Sequence, residues 1–166
     1  VRASREFDDA GASSSSMIDR STTKKLRVLV VDDSPFIRRV ISDWINADPG
    51  LELVGYAING ADAVEKVLAL KPDVVTLDVE LPRRDGLWAL KEIMTKQPTP
   101  VLMVSSLTRE GAEKTLDCLA AGAVDCLAKP TGSSGFAFVS SKDDLLAKIH
   151  ATRNARLGLT HSPTKQ

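Results

Sequence analysis

The stretch Leu26–Pro35, LRVLVVDDSP, decides the fold of this chain. Its first six residues form a mainly apolar run, as expected for a strand buried on both faces. Two acidic residues, Asp32 and Asp33, follow the run directly. Ser34 is then a preferred residue for the N-cap of a helix, and Pro35 suits its first position. The stretch therefore predicts a strand that ends in carboxylates and leads into a helix.

Polar residues also stand at the ends of three later apolar runs. Run 74–77 ends on Asp78, run 101–104 on Ser105 and run 124–128 on Lys129. The carboxyl ends of parallel strands lie at one edge of a sheet, and open α/β folds bind their ligands there. The sequence thus predicts a site in which carboxylates, a hydroxyl and an ammonium group lie close together.

Strands and helices alternate along the chain. The predicted strands are about 26–31, 51–57, 74–78, 101–104 and 124–128. The predicted helices are one that starts at Pro35 and ends before Asp48-Pro49-Gly50, then 60–70, 86–96, 108–121 and 141–157. A loop containing glycine and serine, 131–140, separates the last strand from the last helix. Five β/α repeats predict a parallel sheet with helices on both faces.

Apolar spacing also predicts which helical residues face the core. In the second helix these are Val64, Val67 and Leu68. In the fourth helix, which Thr108 is expected to cap and Gly122 to end, they are Ala112, Leu116, Leu119 and Ala120.

Composition excludes several classes of protein. The chain has 166 residues, 43% of them hydrophobic, and a formal net charge of zero, which argues against nucleic-acid binding driven by bulk charge. Cys118 and Cys126 form no CxxC pair, so neither a zinc site nor a disulfide framework is expected. The chain shows no signal peptide and no apolar run of membrane-spanning length. These features predict a cytoplasmic protein that does not insert into membranes.

The ends of the chain differ from its centre. Residues 1–24 are polar, include Ser13–Ser16 and lack an apolar period, which predicts a disordered tail. Residues 25–157 form the predicted domain. Residues 158–166 are expected to be a tail or the start of a linker.

The residues at the strand ends suit a divalent cation and a phosphoryl group. Magnesium prefers oxygen ligands, which Asp33, Asp78 and a backbone carbonyl after Asp78 would supply while Asp32 orients a coordinated water. A carboxylate can also attack phosphorus to give an aspartyl phosphate. Lys129 would contribute a positive charge and Ser105 a hydrogen bond to a phosphoryl oxygen.

Each of these residues alone has a simpler explanation. The acidic pair favours the positive end of a helix dipole, and a serine or lysine after a strand is most often a loop residue. However, carboxylates about 5 Å apart repel by ~3 kcal/mol per pair at an effective dielectric constant of ~20. One lysine offsets only one of three negative charges, so the cluster indicates function rather than stability.

At these residues the chain resembles the response-regulator receiver domains of two-component signalling, over about 25–157. The family's acidic pair matches Asp32 and Asp33, its phosphoacceptor matches Asp78, and its metal-binding carbonyl falls on Glu80. Its switch hydroxyl matches Ser105, and its lysine matches Lys129-Pro130, a peptide bond that is usually cis in the family. The resemblance implies a flavodoxin-like sandwich with strand order 2-1-3-4-5. It also implies Mg²⁺ as cofactor and a histidine kinase as phosphodonor.

A finer resemblance links the chain to the N-terminal domain of the chemotaxis protein-glutamate methylesterases. Ser105-Ser106, Leu107-Thr108 and Gly111-Ala112 carry it. It implies that the receiver regulates a C-terminal hydrolase domain that acts on chemoreceptors. Two positions depart from the receiver pattern. Cys126 replaces an aromatic residue that swings inward on phosphorylation, so that route of coupling is expected to be missing. Arg84 replaces a methionine that is common before Asp85-Gly86, a change expected to leave the metal site intact.

Three other functions stay open at this point. They are a stand-alone or transcription-linked receiver, an aspartate-nucleophile phosphatase and an inert flavodoxin-like interaction module. The phosphatases of that type carry Asp-x-Asp on the first strand, whereas Asp32 and Asp33 are adjacent. The chain lacks G-x-S-x-G, Walker A and H-E-x-x-H patterns. Its own catalysis is therefore expected to be limited to self-phosphorylation and self-dephosphorylation.

Overall fold

Strands and helices alternate as the sequence predicts. The computed structural model describes residues 24–106, 108–129 and 135–159. Its strands are β1 (Leu26–Val31), β2 (Leu51–Ala57), β3 (Val74–Asp78), β4 (Val101–Ser106) and β5 (Asp125–Lys129). Its helices are α1 (Pro35–Ala47), α2 (Gly60–Leu70), α3 (Gly86–Lys96), α4 (Arg109–Ala120), α5 (Gly135–Val139) and α6 (Lys142–Leu159).

The five strands form one parallel sheet in the order β2-β1-β3-β4-β5, which confirms the predicted topology. In the register between β3 and β4, Asp78 lies opposite Val104. In the register between β4 and β5, Ser105 lies opposite Ala128 and Ser106 opposite Lys129. Because Asp78, Ser105 and Lys129 lie within about one residue of one another in these registers, the carboxyl ends of β3, β4 and β5 share one edge of the sheet.

Each face of the sheet has its own hydrophobic core, since successive strand side chains point to opposite faces. On one face, α2, α3 and α4 pack over strand residues such as Leu77 and Met103. On the other face, α1, α5 and α6 pack over residues such as Val28 and Leu102. Burial on both faces explains why the strands are almost continuously apolar.

Side-chain caps fix where several helices begin. The Ser34 hydroxyl accepts a hydrogen bond from the Ile37 amide at 3.3 Å, as predicted for the start of α1. The Thr108 hydroxyl accepts from the Gly111 amide at 2.9 Å at the start of α4. After α4, Gly122 has a φ of +116°, a conformation that favours glycine and confirms its predicted role.

The predicted inward face of α4 is wrong. Leu116 is 66% exposed and Leu119 is 37% exposed, and Ala112 and Ala120 are also exposed. The residues that face the core are Gly111, Thr115 and Cys118. In α2 the prediction holds for Val64 and Val67, whereas Leu68 is exposed. Apolar spacing failed in α4 because small and polar residues face the sheet there.

A helix replaces part of the predicted loop 131–140. Helix α5 lies within this segment, and its Phe138 is buried in the core under α1 and α6. The Phe138 ring stacks on Trp44 of α1, with ring centroids 5.3 Å apart and an interplanar angle of 18°. The loop prediction is wrong for this part of the segment, because burying the aromatic ring outweighs the local preference for a loop.

Some predictions fall outside the described residues. They are the predicted disordered tail 1–24, of which the structure describes only Lys24, and the Lys129-Pro130 peptide bond. Of the predicted C-terminal tail 158–166, Gly158 and Leu159 belong to α6, and residues 160–166 lie outside the described range. Across the described ranges, none of the helices is both long and apolar enough to span a membrane.

Candidate phosphoryl and metal site

Three carboxylates converge at the carboxyl edge of the sheet. Asp32 and Asp33 follow β1, and Asp78 ends β3. One oxygen atom from each lies within 4.8 Å of the others. Asp32 and Asp78 are buried, while Asp33 is exposed. The cluster thus combines two buried carboxylates with one that is exposed to solvent. This arrangement suits a small, hard cation that enters from solvent.

Lys129, the last residue of β5, reaches across this edge to the carboxylates. Its Nζ atom donates to Asp32 Oδ2 at 2.8 Å and to Asp78 Oδ2 at 3.0 Å. One ammonium group therefore binds two buried carboxylates from different strands. The predicted convergence of Asp32, Asp33, Asp78 and Lys129 is observed.

Backbone amides bind the other oxygen atoms of the two buried carboxylates. The Ser34 amide donates to Asp32 Oδ1 at 2.9 Å. The Glu80 amide donates to Asp78 Oδ1 at 3.1 Å. These bonds fix the orientation of both carboxylates. The Glu80 side chain is exposed, and the metal-binding role of its carbonyl stays a prediction.

Burial of the carboxyl group favours a proton on Asp78. Burial raises the pKa of Asp78 to about 7; Lys129 opposes the shift and the negative charge of Asp32 adds to it. Burial alone would lower the pKa of Lys129, but Asp78 and Asp32 outweigh it and raise that pKa above its usual value. The lysine therefore stays charged near neutral pH, and the site still has an excess of negative charge that a proton or a cation can offset.

The loop after Asp78 turns back closely on the backbone at the end of β3. The Gly86 amide donates to the Val79 carbonyl at 2.9 Å, and a Cβ atom on Gly86 would lie 2.2 Å from the Asp78 carbonyl oxygen. Arg83 and Arg84 have φ values of 48° and 84°, a left-handed region that costs energy for residues other than glycine.

Two contacts hold the second of these arginines. The Arg84 carbonyl accepts from the Gly60 amide at 3.0 Å, and its guanidinium lies 5.1 Å from the Trp88 ring centroid. The Arg84 side chain thus contacts the first turn of α3.

Ser105 lies at the same edge, but its hydroxyl group is bonded to a helix. Ser105 Oγ and Thr115 Oγ1 of α4 share a buried hydrogen bond of 2.8 Å. Thr115 was missed because apolar spacing alone selects Leu116 and Ala112. The available signal was its position four residues after Gly111, on the side of the helix that carries the small residues.

Similarity to known proteins agrees with this geometry. The sequence pattern of the response regulator receiver domain matches residues 28–136. The chain belongs to the response regulator receiver family. This match confirms the family resemblance seen in the sequence.

Relatives of this receiver carry a common description. A protein-glutamate methylesterase/protein-glutamine glutaminase from Symbiobacterium thermophilum is 53% identical over 139 residues, which are 84% of this chain and 38% of that protein. A protein of the same description from Pyrococcus abyssi is 53% identical over 128 residues, 77% of this chain and 35% of that protein. The receiver thus spans little more than a third of the length of these relatives.

Solved structures include similar receivers. The response regulator domain of Thermotoga maritima CheB has 50% sequence identity and a TM-score of 0.74, covering 79% of this chain and 98% of that domain. A CheX-CheY-BeF3-Mg complex from Borrelia burgdorferi matches with 28% identity and a TM-score of 0.66, covering 80% of this chain and 92% of that one. The observed strand order is that of a receiver fold.

Proposed function

We propose that this receiver is a phosphorylation-dependent switch that accepts a phosphoryl group on Asp78 from a histidine kinase. The observation that carries the proposal is the position of Asp78, 5% exposed at the end of the central strand, with Lys129 and two further carboxylates around it. Asp32 and Asp78 each have one oxygen atom bound by a backbone amide and the other by Lys129, and of the two only Asp78 stands at the end of the central strand, β3. This arrangement fixes the nucleophile before the donor arrives.

In the proposed transfer, a carboxylate oxygen of Asp78 attacks the phosphorus atom of a phosphohistidine. The new O–P bond forms as the N–P bond breaks, and the imidazole leaves with the electron pair of that bond and takes a proton from solvent. Asp78 must be ionised to attack. Lys129 offsets the negative charge of the phosphoryl oxygens, and the Glu80 amide holds the attacking carboxylate in place.

The same residues would hold Mg²⁺. Asp33, Asp78 and the Glu80 carbonyl are the proposed protein ligands, and Asp32 would orient a coordinated water molecule. A bound magnesium ion would neutralise charge on the phosphoryl oxygens during transfer. In the described part of the chain, three carboxylates place oxygen atoms within 4.8 Å of one another and one lysine bonds two of them, and this excess of negative charge supports the proposal.

The output of the switch is proposed from the relatives. Their description as protein-glutamate methylesterases, and the fraction of their length that this receiver covers, support a C-terminal methylesterase domain as its effector and chemoreceptors as the substrates of that domain. A cytoplasmic location accords with the free cysteines Cys118 and Cys126. Reading the gene past the codon for Gln166 tests the effector. A hydrolase domain with a Ser-His-Asp site is expected, and a stop codon or a helix-turn-helix domain would contradict it.

The phosphoacceptor is tested by chemical labelling. The protein is incubated with acetyl phosphate and Mg²⁺, and the adduct is mapped by mass spectrometry. Labelling is expected on Asp78, to be lost in Asp78→Asn and to persist in Asp117→Asn, which changes an exposed aspartate of α4. Full labelling of Asp78→Asn would overturn the assignment. Steady turnover of a panel of phosphate esters would instead favour an aspartate-nucleophile phosphatase.

A further inference from the structure

A pair of buried hydroxyl groups joins β4 to α4 next to the phosphoryl site. Ser105 is 5% exposed and Thr115 is 8% exposed, and their oxygen atoms are 2.8 Å apart. Thr115 Oγ1 also lies 2.7 Å from the Gly111 carbonyl oxygen. A hydroxyl group has one proton to donate. Both contacts are satisfied together when Ser105 donates to Thr115 and Thr115 donates to Gly111.

Gly111 explains why the two hydroxyl groups meet. A Cβ atom on Gly111 would lie 2.6 Å from the Ser106 carbonyl oxygen, so the first turn of α4 packs against the end of β4 only without a side chain there. Thr108 caps this turn and also contacts Ser106, with hydroxyl oxygens 3.2 Å apart. One turn further along, Thr115 is brought against Ser105.

The Ser105 side chain therefore faces α4 instead of the carboxylates. Met103, two residues earlier on β4, belongs to the core under α2, α3 and α4. Asp78 lies opposite Val104 in the sheet, so Ser105 is one residue beyond it and on the other face. To bond a phosphoryl oxygen on Asp78, the Ser105 hydroxyl must turn away from Thr115. Switching thus exchanges one hydrogen bond for another.

We propose that Thr115 is a positioning residue that holds Ser105 in the resting state and so sets how readily the receiver switches. This inference rests on the proposed phosphorylation of Asp78. The hydroxyl pair borders a groove of about 350 Å³ between α4 and β5 that Leu116 and Cys126 also line. Release of Thr115 removes a contact between the strand and α4. Helix α4 would therefore respond to phosphorylation through the Thr115 hydroxyl group. This contact would replace the aromatic switch residue, whose position Cys126 occupies.

Binding of beryllium fluoride with Mg²⁺, a mimic of the phosphoryl group, tests the inference by titration calorimetry. Thr115→Val removes the resting partner of Ser105 and is expected to tighten this binding about fivefold, the worth of one buried hydrogen bond. Thr115→Ser keeps the hydroxyl group and should behave like the parent. Thr95→Val is the matched control, since Thr95 makes the same bond to a carbonyl four residues earlier but is exposed.

A double-mutant cycle separates positioning from general packing. Ser105→Ala should weaken binding of beryllium fluoride, and adding Thr115→Val to it should then change the affinity no further. The affinity for Mg²⁺ alone should be equal in parent and Thr115→Val. A variant that is destabilised without a positioning role would not bind the mimic more tightly. Thr115→Ala provides the same loss of hydroxyl if the valine variant does not fold.

The outcomes distinguish this inference from the proposed function. If the parent binds the mimic in a manner that depends on Asp78, while Thr115→Val and Thr115→Ala bind it with equal or lower affinity, the positioning role is wrong and the switch proposal stands. If Asp78→Asn binds the mimic as the parent does, the phosphoacceptor is misassigned and the role of Thr115 falls with it.

Discussion

Lys129 Nζ lies 3.0 Å from Asp78 Oδ2, although 51 residues separate them in the chain. The same nitrogen atom is 2.8 Å from Asp32 Oδ2. A phosphoryl group on Asp78 would place new negative oxygens next to this ammonium and compete with Asp32 for it. Phosphorylation is therefore expected to move the Lys129 ammonium group, and with it the end of β5.

Replacing this lysine should separate phosphorylation from its structural response. Lys129→Ala is expected still to accept phosphate, because the nucleophile and the other carboxylates remain. The rate should be lower, because the charge that offsets the phosphoryl oxygens is lost. Its chemical shifts should change less when beryllium fluoride binds, because the link between the phosphoryl group and β5 is lost. Lys148→Ala is the control, since Lys148 pairs with Asp125 outside the site. Equal shift changes in Lys129→Ala and parent would refute the role.

The raised pKa of Asp78 predicts how stability depends on pH. The folded state holds the Asp78 proton up to about pH 7, whereas an aspartate in the unfolded chain releases it near its ordinary pKa of 3.8. Between these two values the folded state binds more protons, so the free energy of unfolding should fall as pH rises. Urea unfolding between pH 5 and pH 8 without metal measures this. Asp78→Asn should reduce the slope, and an unchanged slope would show that another group is responsible.

Magnesium should stabilise the folded state by relieving repulsion among the carboxylates. The gain follows RT ln(1 + [L]/Kd), or ~2.7 kcal/mol at 100 times Kd, and should be larger above pH 7 than at pH 5, because a proton competes for Asp78. Asp33→Ala should leave metal-free stability little changed, since Asp33 is exposed, and should abolish the gain. Asp43→Ala changes another exposed aspartate and should respond like the parent. Equal gains in both variants would mean that the site is misplaced.

The sheet and the polar residues at the ends of its strands could be predicted, because general properties of parallel sheets determine both. Buried parallel strands require apolar runs, and their carboxyl ends share an edge, so the convergence of Asp32, Asp78 and Lys129 follows from sequence order. The orientation of the Ser105 hydroxyl does not follow from these rules. It depends on the approach of α4, which Gly111 permits, and apolar spacing cannot detect a face made of a glycine, a threonine and a cysteine.

Helix α5 could not be predicted, because a tertiary contact outweighs its local sequence preference. Its five residues follow a stretch rich in glycine and serine, and a helix this short has little stability of its own. Local preferences therefore favour a loop. The helix forms where Phe138 can stack on Trp44, a contact between residues far apart in sequence.

The final prediction follows from this contact. Phe138→Ala removes a buried ring that packs between α1 and α6, so it should lower the free energy of unfolding by ~3–5 kcal/mol. Val139→Ala changes the neighbouring residue, which is 49% exposed, and should alter stability by only ~0.5 kcal/mol or less. Urea unfolding followed by circular dichroism measures both. Because Phe138 belongs to the core under α1 and α6 and not to the strand ends that carry the carboxylates, Mg²⁺ should still stabilise the folded fraction of Phe138→Ala. A loss no larger than that of Val139→Ala would show that α5 does not contribute to the core.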